Sequence, residues 1–280
     1  MAEKNEENGE KKTSKAAAWG KKAFLLLLPF LAGIYGIVVP LVAEIPTFHN
    51  HSVPARLLSN ALEVLFIGIT LAALIILLPK SFPQMKNYSF GREKKGVLAA
   101  IALCTPMYII VKYGLIYFVT CFFKSPEMQA YSYTEEMLRE ELLTAGSTVL
   151  LAPIYEELIF RVLPLSVYKK KRTKIVVAIL MSLLFAVLHG NNWIAVATDA
   201  LLYSALFLGF KNVSVNICAH VCNNLFVTVL AVLSFFGVKA KMTKEMPTII
   251  LMPWPIIVVS AVMAGTGVFL LARMCRKRNR

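Results

Sequence analysis

Residues 144–168 read TAGSTVLLAPIYEELIFRVLPLSVY and form a long, mostly apolar run. Its 25 residues are enough to cross a bilayer core, which takes about 20 residues of helix. Three charged side chains interrupt it, namely Glu156, Glu157 and Arg161. A charge at the centre of a membrane helix costs about 3 kcal/mol, so such residues face a protein interior or pair with one another. The stretch therefore predicts a membrane-spanning helix whose charged side packs against other helices.

The rest of the chain consists of similar apolar runs separated by short polar connections. The chain is 58% hydrophobic and 16% charged, with a mean hydropathy of +0.65, whereas soluble domains have about 45–50% apolar and 25% charged residues. The apolar runs are continuous rather than alternating, which predicts helices and excludes a membrane barrel. We predict an all-α fold, a polytopic membrane helix bundle of about eight transmembrane helices. The predicted spans are 23–43, 57–78, 97–123, 144–168, 175–190, 192–210, 214–236 and 249–272.

Positive charge is concentrated on one side of this predicted bundle. Of the 30 Lys and Arg residues, 22 fall in connections on one side and 6 on the other. Lys and Arg accumulate on the cytoplasmic side of membrane proteins, so we expect both termini in the cytoplasm. The net charge of +14 therefore comes from clusters between predicted spans, which is typical of a multi-pass protein of the cell membrane. We expect the lipid bilayer, and not nucleic acid, as its partner.

Four regions follow from this pattern. Residues 1–22 form a polar, disordered cytoplasmic tail, and 23–143 hold the N-terminal transmembrane helices and a surface connection. Residues 144–236 form the core that carries the chemistry. Residues 237–280 comprise the last loop, the final transmembrane helix and a basic tail. The five cysteines are expected to be small core residues, and nothing in the sequence indicates an oligomeric state.

The charged residues inside the spans predict one ion pair and one spare carboxylate. Glu157 and Arg161 are four residues apart, so they share a helix face and can pair. Glu156 points about a third of a turn away and lacks that partner. A carboxylate left over in a partly dehydrated site suits general acid or base chemistry. Lys112 and Glu63 are expected to pair between spans, or Lys112 extends its ammonium to the membrane surface.

Two histidines lie within predicted apolar helices. His189 shares a face with Phe185, four residues earlier, and His220 shares a face with Asn224. We expect Asn223 to point elsewhere. With the spare glutamate, these side chains suggest water activation, in which Glu156 and His189 polarise a water molecule. His220 and Asn224 then donate hydrogen bonds to the developing oxyanion.

Asp199, in the sixth predicted span, has two interpretations. It is either a structural contact between helices or a residue at the periphery of the site. The sequence leaves both open.

Three motifs in this core resemble those of a known family. Residues 156–161 read E-E-x-x-x-R, 185–189 read F-x-x-x-H, and 220–224 read H-x-x-x-N. In this order, each on an apolar helix, they resemble the CPBP family. That family includes the type II CAAX prenyl endopeptidases and the bacteriocin-immunity (Abi) proteins. The resemblance covers 144–236.

The resemblance implies an intramembrane endopeptidase in which a glutamate activates water. It implies that Glu156 is the base, with His189 as its partner, and that two further side chains form the oxyanion site. The catalytic residues carried over by motif are Glu156, His189, His220 and Asn224, and the residues that support the site are Glu157, Arg161 and Phe185.

Substrate and cofactor follow from the same resemblance. The expected substrate is a membrane-associated peptide or a lipidated, for example prenylated, protein that reaches the site from the cytoplasmic side. We expect no metal, since the H-E-x-x-H motif is absent, although two histidines with a carboxylate leave zinc as an alternative. Two other functions stay open: a non-catalytic immunity or scaffold protein, and an ion-coupled transporter, against which the lack of an inverted repeat argues.

One feature of the predicted helices opposes a shared site. At about 1.5 Å per residue from the basic ends of the spans, Glu156 and His189 lie about 20 Å deep, but His220 only about 9 Å deep. Helix tilt, kinks at Pro153 and Pro164, or an earlier start of the seventh helix would each close this gap.

Overall fold

A computed structural model describes residues 53–77, 94–123, 145–189, 193–241 and 254–278, together with positions 20, 23, 27, 138 and 142. All regular elements in these residues are helical, as predicted. Two of the elements are short π-helices and the others are α-helices, numbered here in chain order. The elements are α1 (Val53–Leu77), α2 (Lys94–Phe123), π1 (Ser147–Leu151), α3 (Ala152–Glu157), π2 (Leu158–Val162), α4 (Leu163–Val167), α5 (Lys171–Val187), α6 (Trp193–Phe210), α7 (Val213–Lys241) and α8 (Trp254–Arg278).

Four of the described helices contain segments long and apolar enough to cross a membrane. They are Lys94–Lys112, Trp193–Phe210, Val213–Leu230 and Ile257–Met274. The chain is therefore an integral membrane protein built of helices. The predicted tail 1–22, the span 23–43 and the surface connection 124–143 lie outside the continuously described ranges. Eight spans with both termini in the cytoplasm therefore stay a prediction.

The outside of the bundle is apolar. Large hydrophobic side chains are exposed on several helices, including Ile76, Val187, Val262 and Phe269, which are each at least 63% exposed. Polar and charged side chains such as Glu157 and Arg161 are instead fully buried. This inversion of the usual soluble pattern fits a molecule whose outer surface contacts lipid.

Where the structure describes them, the helix bounds lie within six residues of the predicted spans, with one difference that bears on the site. The fifth span was predicted to reach residue 190, but α5 begins at Lys171 and ends at Val187. His189 therefore lies in the turn after the helix and not within it, so the expectation that it sits inside an apolar helix was wrong.

Residues 147–167, the broken helix, change from π to α geometry twice. In π1 the backbone N–H of Ala152 donates to the Ser147 carbonyl, five residues earlier, and π2 repeats this pattern. Pro153 and Pro164 are each the second residue after a π segment. Proline lacks an N–H and its ring collides with the carbonyl four residues before it. The wider π turns relieve that collision, and they hold an extra residue within the turn.

The turn between α6 and α7 is short because two residues close it. Lys211 has a φ of 54°, in the left-handed region, and its N–H donates to the Phe207 carbonyl at 2.8 Å. The Asn212 side chain then accepts the Ser214 N–H at 2.9 Å and caps α7. This turn returns the chain directly alongside α6.

Helix α2 packs against two of the helices that carry the site, α6 and α7. This helix contacts α6, α7 and α8, while α5 lies on α6 and the broken helix lies between α1 and α7. Small residues allow the close contacts, as at Gly267 of α8, where an added Cβ would lie 2.9 Å from the Leu103 backbone nitrogen. Ala100, Cys104 and Ala219 are fully buried between α2, α6 and α7.

Candidate active site

Two adjacent glutamates at the end of α3 have different surroundings. Glu157 is fully buried, and its Oε1 lies 3.2 Å from Nη1 of Arg161, which is also fully buried. The predicted ion pair is therefore present. The Glu156 side chain keeps 12% of its surface exposed and lines a cavity. The helix thus separates the two carboxylates, since neighbouring residues point about 100° apart.

Helix α7 supplies two further partners to Glu157. Asn216 Nδ2 donates to Glu157 Oε2 at 3.0 Å and also to the Tyr203 carbonyl at 2.7 Å. His220 Nδ1 lies 3.1 Å from Glu157 Oε1 and donates to it, because an ionised carboxylate only accepts. With Arg161, donors from three side chains hold this carboxylate. Sequence reasoning missed Asn216, although its position four residues before His220 on one helix face was a usable signal.

The guanidinium of Arg161 is enclosed by aromatic rings. Its centre lies 4.7 Å from the Phe185 ring and 5.6 Å from the Tyr203 ring. Its Nη2 also donates to the Ala200 carbonyl at 3.4 Å. Cation–π contacts are strongest where water is excluded, as here. Phe185 therefore supports the buried ion pair.

His220 lies between the two glutamates. Its Nδ1 faces Glu157, while its Nε2 lies 3.5 Å from Glu156 Oε2. Its ring stacks on Tyr203, with centroids 4.9 Å apart and planes 25° apart. Because Nδ1–H donates to Glu157, the neutral ring carries a lone pair on Nε2, and only the doubly protonated ring donates from both nitrogens. A proton can therefore be exchanged between His220 and Glu156.

His189 is oriented by the residue one turn before it. Its Nδ1 lies 2.7 Å from the Phe185 carbonyl and donates to that oxygen, which leaves Nε2 as the free position of the neutral ring. The imidazole also packs beside the Phe185 ring, with centroids 4.3 Å apart, as predicted. His189 is exposed and lines the same cavity as Glu156.

Asn223 and Asn224 of α7 both face this cavity. Asn224 Nδ2 donates to the Thr148 carbonyl in π1 at 2.7 Å. Asn223 Nδ2 donates to Asp199 Oδ2 at 2.8 Å. The expectation that Asn223 points elsewhere was wrong, because positions three and four residues after His220 both fall on its side of a helix. Asp199, whose place the sequence left open, is a buried residue of the cavity wall.

The cavity has a volume of about 270 Å³ and brings the predicted catalytic residues together. The gap in depth expected from the sequence is closed, since His220 Nε2 lies 3.5 Å from Glu156. Helix α7 begins at Val213, so an earlier start does not explain this. The lining includes the predicted Glu156, Phe185, His189, His220 and Asn224, and the unpredicted Tyr108, Tyr203, Asn223 and Thr228.

Comparison with known families agrees with these motifs. Residues 139–226 match the type II CAAX prenyl endopeptidase Rce1-like family. This Rce1-like domain contains every residue of the three motifs, and it confirms the family resemblance drawn from them. No curated protein and no solved structure matches the chain.

The mouth of the cavity in the Rce1-like domain lies at one end of the bundle. Thr148 and His189 are exposed there, while Glu156 and His220 are buried deeper. His189 follows the end of α5, and the basic segment 169–174 lies at the other end of that helix. Two predictions are therefore incompatible: that the basic segment is cytoplasmic, and that the site opens to the cytoplasm.

Side chains suited to metal binding do not cluster in the described part of the chain. In those residues, no group of three His, Cys, Asp or Glu side chains is close enough to hold a metal ion. His220 in particular turns both ring nitrogens toward glutamates. That no cofactor is needed stays a prediction.

Lys112 lies one turn beyond Tyr108 on α2. Its Nζ donates to the Tyr108 hydroxyl at 3.2 Å. The side chain of its predicted partner, Glu63, lies outside what the structure describes. The contact with Tyr108 connects Lys112 to the cavity wall.

Proposed function

We propose that the chain is an intramembrane endopeptidase that hydrolyses a peptide bond of a membrane-associated peptide or protein. The observation that carries the proposal is the placement of Glu156, His189 and His220 around one cavity inside the Rce1-like domain. The proposed reaction needs a base, a proton carrier and donors for an oxyanion, and each has a candidate in the cavity wall.

In the first step, a water molecule between Glu156 and His189 attacks the carbonyl carbon of the scissile bond. Glu156 takes one proton of that water as the new C–O bond forms. The carbonyl oxygen then carries the negative charge of a tetrahedral intermediate. The Phe185 carbonyl holds His189 Nδ1–H, so that Nε2 is the nitrogen available to orient the water.

Two side chains of α7 are suited to stabilise that oxyanion. Asn224 gives one Nδ2 hydrogen to the Thr148 carbonyl and keeps its second for the intermediate. His220 donates from Nε2 when its ring is doubly protonated, and Glu157 holds the opposite nitrogen in place. Fixed donors of this kind typically contribute about 10²–10³ in rate.

In the second step, the C–N bond breaks. Glu156 returns its proton to the leaving amine, and the acyl fragment leaves as a carboxylic acid. The hydroxyl of the water thus ends on the acyl side and its proton on the amine side. Because Glu156 acts first as base and then as acid, no other reactant is consumed.

The family match and the apolar exterior support a class of substrate. The Rce1-like family is named for CAAX prenyl endopeptidases, so a lipidated peptide is the first candidate. Exposed apolar side chains on several helices place the domain within lipid, where such a peptide is anchored. We propose a membrane-anchored peptide chain as the substrate, with or without a prenyl group.

Purified protein in lipid vesicles provides the test. The probes are a fluorogenic peptide ending in a farnesylated cysteine followed by three residues, and the same peptide without the farnesyl group. Glu156→Gln and His189→Ala, made separately, should each reduce cleavage by about 10²–10⁴-fold. Glu136→Gln makes the same chemical change in a glutamate pair outside the motif and should keep full activity. Full cleavage by both site variants would contradict the proposal.

A further inference from the structure

We propose that the site opens to the outer face of the membrane, so that its substrate is the outward-facing part of a membrane-anchored peptide. The substrate part of this inference rests on the proposed function, whereas the orientation does not. The orientation is inferred from the end of the bundle at which the cavity opens and from the distribution of Lys and Arg along the chain.

Helix α5 fixes the ends of the bundle relative to each other. It begins at Lys171 and runs to Val187, which at about 1.5 Å per residue separates its ends by about 25 Å. His189 follows directly after its last turn and is exposed. The mouth at His189 and the basic segment 169–174 are therefore at opposite ends of the same helix.

The neighbouring helices place the cavity in the same half of the bundle. Helix α6 begins at Trp193, a few residues after His189, and its lining residues all fall between Val196 and Tyr203. Helix α7 runs back from Val213, and its lining residues begin only at the second turn, with His220. The cavity thus lies toward the His189 end of these helices, and none of its wall comes from the basic end of α5.

The distribution of Lys and Arg then indicates which end of the bundle faces the cytoplasm. Segment 169–174 contains five Lys and Arg residues, whereas 190–192, beside the mouth, contains none. Because successive spans cross the membrane in opposite directions, connection 80–96 is predicted to lie at the same end as 169–174. It contains five more Lys and Arg residues. The excess of 22 over 6 is large for short loops and predicts that the basic end is cytoplasmic. The mouth then faces outward.

The consequence concerns the substrate. A peptide bond must enter between Thr148 and His189 to reach Glu156, so it must lie at the outer half of the bilayer. An exported peptide that stays tethered to the membrane by an apolar segment or a lipid presents its peptide bonds at this face. A lipidated protein whose scissile bond lies in the cytoplasm does not.

Accessibility of two engineered thiols tests the orientation. Leu188→Cys places a thiol at an exposed position beside the mouth, and Thr173→Cys places one in the basic segment without removing a positive charge. Each is made in the full-length chain and treated with a membrane-impermeant maleimide, in intact cells and after permeabilisation. The unsubstituted chain, with its own five cysteines, supplies the background to subtract.

We expect Leu188→Cys to be labelled in intact cells at least ten times more than Thr173→Cys, and Thr173→Cys to reach the same level only after permeabilisation. The reverse pattern would overturn the inference. A His51→Cys variant, in the loop predicted to be on the outer side, gives the same answer if either thiol prevents folding. Labelling does not require hydrolysis. An inactive protein labelled from outside therefore refutes only the proposed function, and an active one labelled from inside refutes only the orientation.

Discussion

The adjacent residues Glu156 and Glu157 should respond in opposite ways to the same change, glutamate to glutamine. Donors from Arg161, Asn216 and His220 converge on Glu157 at 3.0–3.2 Å, and the Glu157 side chain is fully buried. A glutamine offers one acceptor oxygen and turns its own N–H₂ donor toward the other donors. It also leaves the Arg161 guanidinium buried without a counter-charge.

The expected cost for Glu157→Gln is that of breaking a buried ion pair, about 3–5 kcal/mol. For a chain of this size this lowers the Tm by about 6–20 °C. Glu156→Gln removes only a 3.5 Å contact with His220 from a residue that partly faces the cavity. Its cost is about 1 kcal/mol or less, so its Tm stays within about 4 °C of the unchanged chain. Its peptide cleavage, in contrast, should fall by about 10²–10⁴-fold.

Thermal unfolding in detergent, followed with a thiol-reactive dye, measures the difference directly. Cys104 has no exposed surface in the folded chain, so its thiol becomes reactive only on unfolding. A folded, stable Glu157→Gln variant, or a Glu156→Gln variant as unstable as Glu157→Gln, would refute the division of roles between the two carboxylates.

Three further substitutions test the packing around the site. Arg161→Lys keeps the charge but loses the planar contact with two aromatic rings, so we expect the free energy of unfolding to fall by about 1–2 kcal/mol in the same melting assay. An unchanged Tm would contradict this. Asn216→Ala leaves a Glu157 oxygen and a backbone carbonyl without their donor, and should lower the free energy of unfolding by about 1–3 kcal/mol. A variant that loses activity but keeps its Tm would contradict this expectation. Gly267→Ala forces α8 away from α2 and should destabilise the fold by about 1–3 kcal/mol. Its control, Gly265→Ala, has no atom within 4 Å of the added Cβ and should be neutral or slightly stabilising. Equal effects of the two glycine substitutions would contradict the close approach of α8 to α2.

Residue type and spacing were sufficient to predict a helical membrane fold. They also predicted that Glu157 pairs with Arg161 and that Glu156 points away from this pair. The apolar runs predicted the helices to within a few residues because a span must satisfy its own backbone hydrogen bonds. The i, i+4 relation placed Glu157 with Arg161, and the same relation placed His189 beside Phe185. These are local relations along one helix, which a sequence fixes directly.

Contacts between helices were harder to predict. That Asn216 and His220 both bond Glu157 depends on how α7 packs against the broken helix, and no spacing along one helix gives this. The depth of His220 was misjudged because a count of residues along one helix does not give the position of that helix relative to its neighbours. The end of the bundle at which the exposed cavity residues lie could not be predicted either, because the motifs identify the residues of the cavity but not how the helices around it are arranged.

Glu156 and the two imidazoles should act together as one hydrolytic centre. The peptides recovered from membranes of cells that produce either the unchanged chain or the Glu156→Gln variant, at equal levels, test this. We predict peptides with new termini in the first membranes and their intact precursors in the second. Identical peptide sets from both would contradict a hydrolytic role for this site.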